Sequence, residues 1–181
     1  MISLYKSFRA AKPFPYLIID EFLSQKKSKE LLLALQKEKF TLKESDLFTF
    51  WQSSELKENP RFLKLARVFR SSKWKQRIFE MTNISISSEI DLFGSLYKKT
   101  NHLLPHDDRL AGRKIAFVFF LNTLKKNQGG RLRLFQKNNV RKKITPVRGR
   151  LVLFAVSSRS VHSVEEVYFG KRWALSGWFH G

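Results

Sequence analysis

The 181 residues are the length of one domain, and 43% hydrophobic residues with 17 Phe are ample for a full core. Lys and Arg outnumber Asp and Glu by 35 to 15, a formal charge of +20, which suits a nucleic-acid-rich setting such as a ribosome and equally suits plain solubility. The absence of cysteine excludes disulfides and thiolate metal sites, and no apolar run approaches membrane-spanning length, so a soluble, intracellular and cytoplasmic protein is expected.

In chain order, residues 1–12 are mixed and predict a loose or short strand-forming lead. Pro13-Phe14-Pro15 stiffens the entry, and Tyr16 to Ile19 reads as a short β-rich run. Ser24 can cap a helix running through Leu31, Leu32 and Leu35 towards Lys39. Phe40 to Gln52 alternates weakly and predicts strand or hairpin. Asn59-Pro60 is a helix start, followed by an apolar stripe at Phe62, Leu65, Ala66 and Phe69. A second helical stretch, with Trp74 and Ile78 on one side, ends by Asn83. Its aromatic and basic mixture could serve nucleic acid, but aromatics at helical spacing are more often core.

After Asn83 the pattern turns to strands: 84–97, 114–122, 131–135, 141–147, 151–156, 164–169 and 173–179. Turn signals at Asn127-Gln128-Gly129-Gly130, Asn138-Asn139 and Pro146 to Gly149 divide them. Ile115 to Leu121 is apolar on both faces and should be central, whereas Arg131-Leu132-Arg133-Leu134 alternates, one face solvated. Helices followed by many short strands predict an α+β, mainly β domain: a β-sandwich or barrel on an N-terminal helical layer, taken as a double-stranded β-helix (jelly roll). The chain reads as one domain over 1–181, helical support over about 1–83 and β core over about 84–181.

The chemistry centres on Pro105-His106-Asp107-Asp108. In an extended strand His106 and Asp108 share a face and Asp107 points away. Adding His162 makes a two-histidine, one-carboxylate set, which leaves open positions on a non-haem Fe(II). The alternatives are a solvated surface turn for His106 and Asp108 and a hydrogen-bonded structural His162. His102 and His180 lack partners at ligand spacing and read as structural. Arg172, Ala174 and Ser176 share one face of the last strand, so a cation and a hydroxyl flank a small residue and leave room for a carboxylate ligand. Taken alone, Arg172 could equally be one surface cation among many.

Several stretches resemble a known family. They are Pro13-Phe14-Pro15-Tyr16, Ser45-Asp46-Leu47-Phe48-Thr49-Phe50 with Gln52-Ser53, and Leu103-Leu104-Pro105-His106-Asp107-Asp108. They continue with Gly112 to Phe117, Gly129 to Leu134 and Leu175-Ser176-Gly177-Trp178-Phe179-His180-Gly181. Together they resemble, collinearly over nearly the whole chain, the prolyl-hydroxylase branch of the 2-oxoglutarate/Fe(II) dioxygenases, and within it the ribosomal prolyl hydroxylases of the Ofd/Tpa type.

The resemblance implies that His106, Asp108 and His162 ligate Fe(II), and that Arg172 binds the distal carboxylate of 2-oxoglutarate with Tyr97 and Ser176. Trp178 and Arg113 would line the pocket, and the hairpin of Asp46 to Trp51, with Phe48 and Phe50, would close over a substrate segment. It further implies O2 as co-substrate, ascorbate as reductant, and a prolyl residue of a small-subunit ribosomal protein as substrate, with the basic surface available to ribosomal RNA. Larger members carry a second, catalytically inert barrel beyond the stretch resembling Gly177 to Gly181, so recognition that depends on it is not carried over. Two alternatives stand beside this: a hydroxylase of another translation protein such as an elongation factor, and a catalytically inactive basic jelly roll that binds RNA.

Overall fold

In the computed structural model, which describes residues 4–181, four helices and eleven strands make up the chain. Helix α1 (Leu4–Ala10) leads, where a loose or strand-forming segment is expected; its one buried side chain, Phe8, docks it on the helical core. Residues 1–3 of that expected lead lie outside the described residues. Strand β1 (Tyr16–Ile19) follows, and Ser24 then accepts from the Lys27 amide at 3.3 Å to cap α2 (Gln25–Leu35). The helix stops short of Lys39 because the Lys37 and Glu38 amides turn to Ala34 and Leu35 carbonyls, a tighter three-residue ladder.

Strands β2 (Phe40–Ser45) and β3 (Phe48–Glu55) form the expected hairpin. Asn59 opens a turn, and the α-helix α3 (Leu63–Arg70) begins after it. Ser71 caps α4 (Ser72–Thr82), which ends on Asn83 in the left-handed conformation. The stripe of Phe62, Leu65, Ala66 and Phe69 is buried as its spacing requires, together with Trp74 and Ile78.

The remaining strands are β4 (Ile90–Tyr97), β5 (His102–His106), β6 (Arg113–Phe120), β7 (Leu132–Gln136), β8 (Asn139–Ile144), β9 (Leu151–Ala155), β10 (His162–Val164) and β11 (Arg172–His180). Two strands differ markedly from expectation and one is not expected. β4 starts at Ile90 because Ser87 turns the chain by accepting from the Glu89 amide. The expected strand over 164–169 is instead a three-residue β10; beyond it the Glu165 amide still donates to the Arg131 carbonyl and Val167 bridges Gly129, but the partner segment is broken by Gly129 and Gly130, both at positive φ. β5 escapes sequence reading because it contains Pro105, which has no amide to donate; the proline sits where the pairing with β10 shifts register.

All eleven strands join one antiparallel sheet in the order β1-β9-β6-β11-β4-β3-β5-β10-β7-β8, with β2 on β3. Alternation gives it two apolar faces. Ile115, Phe117 and Phe119, with Leu175 and Phe179, pack against the helices. Ala116, Phe120, Val152, Phe154 and Ala174 pack against Leu132, Leu134 and Ile144 from the far end of the same sheet. The sheet has therefore curled over on itself, forming a jelly roll with helices on one outer face. Gly177 permits the close approach of β11 to β4, since a Cβ there would lie 1.8 Å from the Asp91 carbonyl oxygen. Among the described residues no helix is long and apolar enough to cross a membrane.

Phe69 is fully buried, with the rings of Phe22, Trp74, Phe117 and Phe179 5.2 to 6.2 Å away. Phe69→Ala should cost about 3–5 kcal/mol in urea unfolding, through lost transfer energy and the cavity left behind. On the outer side of the short β-half, buried Glu165 takes bonds from Arg131 and from Arg133. Burial pushes its carboxyl up but the two guanidiniums prevail, holding it at about 2. Because the folded value lies below the ordinary 4.5, its stabilisation is present above that pH and lost as pH falls towards 2. Glu165→Gln should flatten the decline in stability across that window in thermal melts at stepped pH.

Candidate active site

The curled sheet encloses a cavity of about 650 Å³. His106 ends β5 and His162 opens β10, and the antiparallel register sets them directly opposite. Residues facing each other across a pair project to the same side, so both imidazoles enter the cavity. Asp108 lies past the end of β5, so a shared strand face does not place it; the loop does, leaving it buried. Its Oδ1 lies 3.5 Å from His106 Nε2 and its Oδ2 3.4 Å from His162 Nε2. Asp107 turns away and accepts from the Arg109 backbone and side chain.

The outer nitrogens of both histidines are occupied. His106 Nδ1 donates to the Leu104 carbonyl and His162 Nδ1 to that of Ser160, each at 2.9 Å. A carbonyl can only accept, so each Nδ1 carries a proton, and in the neutral imidazole each Nε2 presents its lone pair inward. One donor atom from each of the three residues falls within 4.8 Å of the others. Burial pulls His162 down to about 4, keeping it neutral at physiological pH. Burial also acts to lower His106, but the neighbouring Asp108 outweighs it and the net shift is upward. Asp108 is held below the usual carboxylate range, its burial overcome by the two imidazoles. Two imidazole Nε2 atoms and one carboxylate oxygen fit a divalent cation of the Fe(II), Mn(II) or Zn(II) kind, which on binding displaces any proton shared by His106 and Asp108.

Deeper in, Arg172 opens β11 and is 1% exposed. Its guanidinium carbon sits 5.0 Å from the ring centres of Tyr97 and Phe120. Among the described residues it has no carboxylate partner, and its Nε is buried without a hydrogen bond. Burial lowers it only to about 10, so it stays cationic at neutral pH. A buried cation with no counter-charge is costly unless an anion joins it. Aromatic walls and a forked donor fit a carboxylate.

The register places Tyr97 opposite Arg172 and Ser95 opposite Ala174, and Ser176 Oγ lies 3.2 Å from Ser95 Oγ. Burial pushes the Tyr97 phenol well above its ordinary range, so it stays protonated. Phe50 stacks on Tyr97 at 5.0 Å, and Phe48 meets Phe50 edge-on, so both hairpin aromatics line the cavity. Arg113 lies over the Trp178 indole at 3.4 Å and faces Asp91; both residues wall the same cavity. His180 bonds Asp91 at 3.0 Å and His102 a backbone carbonyl, so neither joins the cluster.

Sequence reading assigns no site role to Gln52 and Ser95, which line the cavity, or to Phe120, which flanks Arg172. Ser95 was within reach, since counting back by two from an inward Tyr97 finds it. Gln52 follows by the same count from Phe48 and Phe50, whereas Phe120 depends on β6 lying beside β11, which local periodicity does not reveal.

The profile described as the 2OG-Fe(II) oxygenase superfamily matches residues 92–180. The chain is 36% identical over 183 residues to a "Prolyl 3-hydroxylase OGFOD1" of Xenopus laevis, covering 93% of this chain and 35% of that protein. It is 32% identical to the Mus musculus protein of the same name, covering 93% and 33%. It thus spans about a third of the length of the curated relatives it matches. In fold it resembles a crystal structure of a Pseudomonas putida prolyl-4-hydroxylase with a TM-score of 0.81 at 19% identity, covering 98% of both chains. The matched residues include all three converging side chains and Arg172, so the chain is similar to the 2OG-Fe(II) oxygenase superfamily across the part that builds its site.

Proposed function

We propose that this chain is the catalytic domain of an Fe(II)- and 2-oxoglutarate-dependent prolyl hydroxylase, acting on a prolyl residue of a small-subunit ribosomal protein in the cytoplasm. The observation that carries it is the pairing, in one cavity, of the His106-Asp108-His162 donor set with the uncompensated Arg172. The relatives' names support a prolyl substrate and favour the 3-position. The chain's resemblance to ribosomal hydroxylases and its +20 charge support the ribosomal setting.

His106, Asp108 and His162 would hold the iron, the two Nε2 atoms aimed inward by the Nδ1 bonds to the Leu104 and Ser160 carbonyls. Bound iron with 2-oxoglutarate and O2 supplies oxidising power for C–H hydroxylation, the 2-oxo acid leaving as succinate and CO2. Arg172 fixes the distal carboxylate of 2-oxoglutarate, while Tyr97 and Ser176 border it with hydroxyls. Phe120 and Tyr97 exclude water around that charge pair, strengthening it. Trp178 and Arg113 form the wall beside Asp108, and Phe48 and Phe50 on the β2–β3 hairpin cover the substrate side.

Succinate formation by purified protein with Fe(II) and 2-oxoglutarate tests the chemistry. Asp108→Ala should abolish it and weaken Mn(II) binding about 100-fold or more in calorimetry; undiminished Mn(II) affinity would dismiss this metal centre. Arg172→Met should raise the half-saturating 2-oxoglutarate concentration about 100-fold, a charge-assisted bidentate contact being lost. The same variant without ligand should unfold in urea at equal or higher stability, by at most about 4 kcal/mol, because an unpaired buried charge is gone. Mass spectrometry of ribosomes from cells lacking the protein checks the substrate. Hydroxylation lost from an elongation factor instead would relocate the target.

A further inference from the structure

The excess of positive charge is not spread evenly. Between Lys98 and Arg150 the only acids are Asp107 and Asp108, one bound to Arg109 and the other in the site. The β7–β8 hairpin contains Arg133, Lys137, Arg141, Lys142 and Lys143 and no acid. Its register sets Arg133 directly opposite Lys143, and like charges so placed repel and destabilise a strand pair. Glu165 neutralises Arg133 only in part, since it also serves Arg131. Lys137, Arg141, Lys142 and Lys143 are exposed and have no carboxylate partner among the described residues.

β8 pairs only with β7, so it is an edge strand, and charge on an edge discourages aggregation. Either sign does that, and mixed signs would also relieve the Arg133–Lys143 repulsion. A uniformly cationic hairpin therefore points outward, to a polyanion. An acidic peptide adding to the edge would need apolar pockets on alternate positions, and a membrane surface would need apolar side chains to insert. The exposed strand β8 has only Val140 for either purpose. A phosphate backbone needs cations alone.

Position adds to charge. Lys142 faces Leu134, Leu134 faces His162 and His162 faces His106, one register row across four strands. Lys142 thus lies about two strand spacings, roughly 10 Å, from His162 and on the same side of the sheet. We propose that the β7–β8 hairpin is a docking surface for a nucleic-acid backbone, through Lys137, Arg141, Lys142 and Lys143, that brings the cavity up to a protein segment lying against that nucleic acid. Binding stands apart from the hydroxylase reading; only the presentation of a protein segment rests on it.

Fluorescence anisotropy of the full chain with a labelled single-stranded RNA of about 20 nucleotides, longer than the ~4–16 that single-strand sites cover, tests the surface. R141E/K142E/K143E should weaken binding at least about tenfold and flatten the slope of log K against log salt by about 2, three phosphate contacts at ~0.7 each. K64E/R67E/K73E makes the same change in net charge at exposed residues of α3 and α4, and should weaken binding less than about threefold if location rather than overall field decides. Equal losses from the two triples, or none from the first, would overturn the proposal. So would tighter binding to phosphatidylserine vesicles than to RNA at equal phosphate, lost through the hairpin triple. Should thermal melting show the reversal unfolded, R141Q/K142Q/K143Q replaces it, with the same change of slope expected. None of these measurements needs turnover, so a failed hydroxylase assay leaves them intact.

Discussion

The pairing of His106 with His162 across β5 and β10 is the constraint on which the rest of the site depends. Side chains alternate along a strand, so a slip of one residue would send His162 to the outer surface and leave Asp108 beside a single imidazole. The pair is short, three residues in β10, and a register shift at the proline interrupts it. It is held in place from both sides. β7 matches His162, Ser163 and Val164 to Leu134, Arg133 and Leu132, while β3 matches Phe48 and Thr49 to Leu103 and His102. Behind it, Glu165 ties the end of β10 to Arg131 and Arg133.

A second register, β4 against β11, builds the anion end of the cavity. It lays Tyr97 against Arg172 and Ser95 against Ala174, while β6 on the other side brings Phe120 to the same row. The two ends share one wall but differ in kind. At the mouth, polar donors face inward with lone pairs exposed, a geometry that attracts a cation. In the depth, a guanidinium sits among aromatic rings with nothing to balance it, a geometry that attracts an anion. Helices α1 to α4 take no part in either end; their aromatic core around Phe69 stiffens the outer face of the sheet on which both registers rely.

Much of this was legible in the residues. The apolar stripe at Phe62, Leu65, Ala66 and Phe69 and the Ser24 cap follow from periodicity and hydroxyl chemistry, and those local rules hold wherever the element folds. Alternation placed Arg172, Ala174 and Ser176 on one face. Where reading failed, a distant partner had overruled local preference. Phe8 recruits the lead into a helix, Pro105 hides β5, and the positive-φ Gly129 and Gly130, far earlier in the chain, break the partner that a longer β10 would need.

The sequence by itself determined which side chains could do chemistry here: a His-x-Asp pair, a lone later histidine, and an arginine followed at even spacing by small and hydroxyl residues. It also determined the alternation that makes each strand two-faced, because that period is built into the extended backbone. Only the tertiary structure decided that His162 lies opposite His106, that Asp108 is delivered by a loop, and that Arg172 has no carboxylate neighbour among the described residues. Those facts depend on strand order and register, which are set by contacts between segments far apart in the chain and leave no trace in any short window of it.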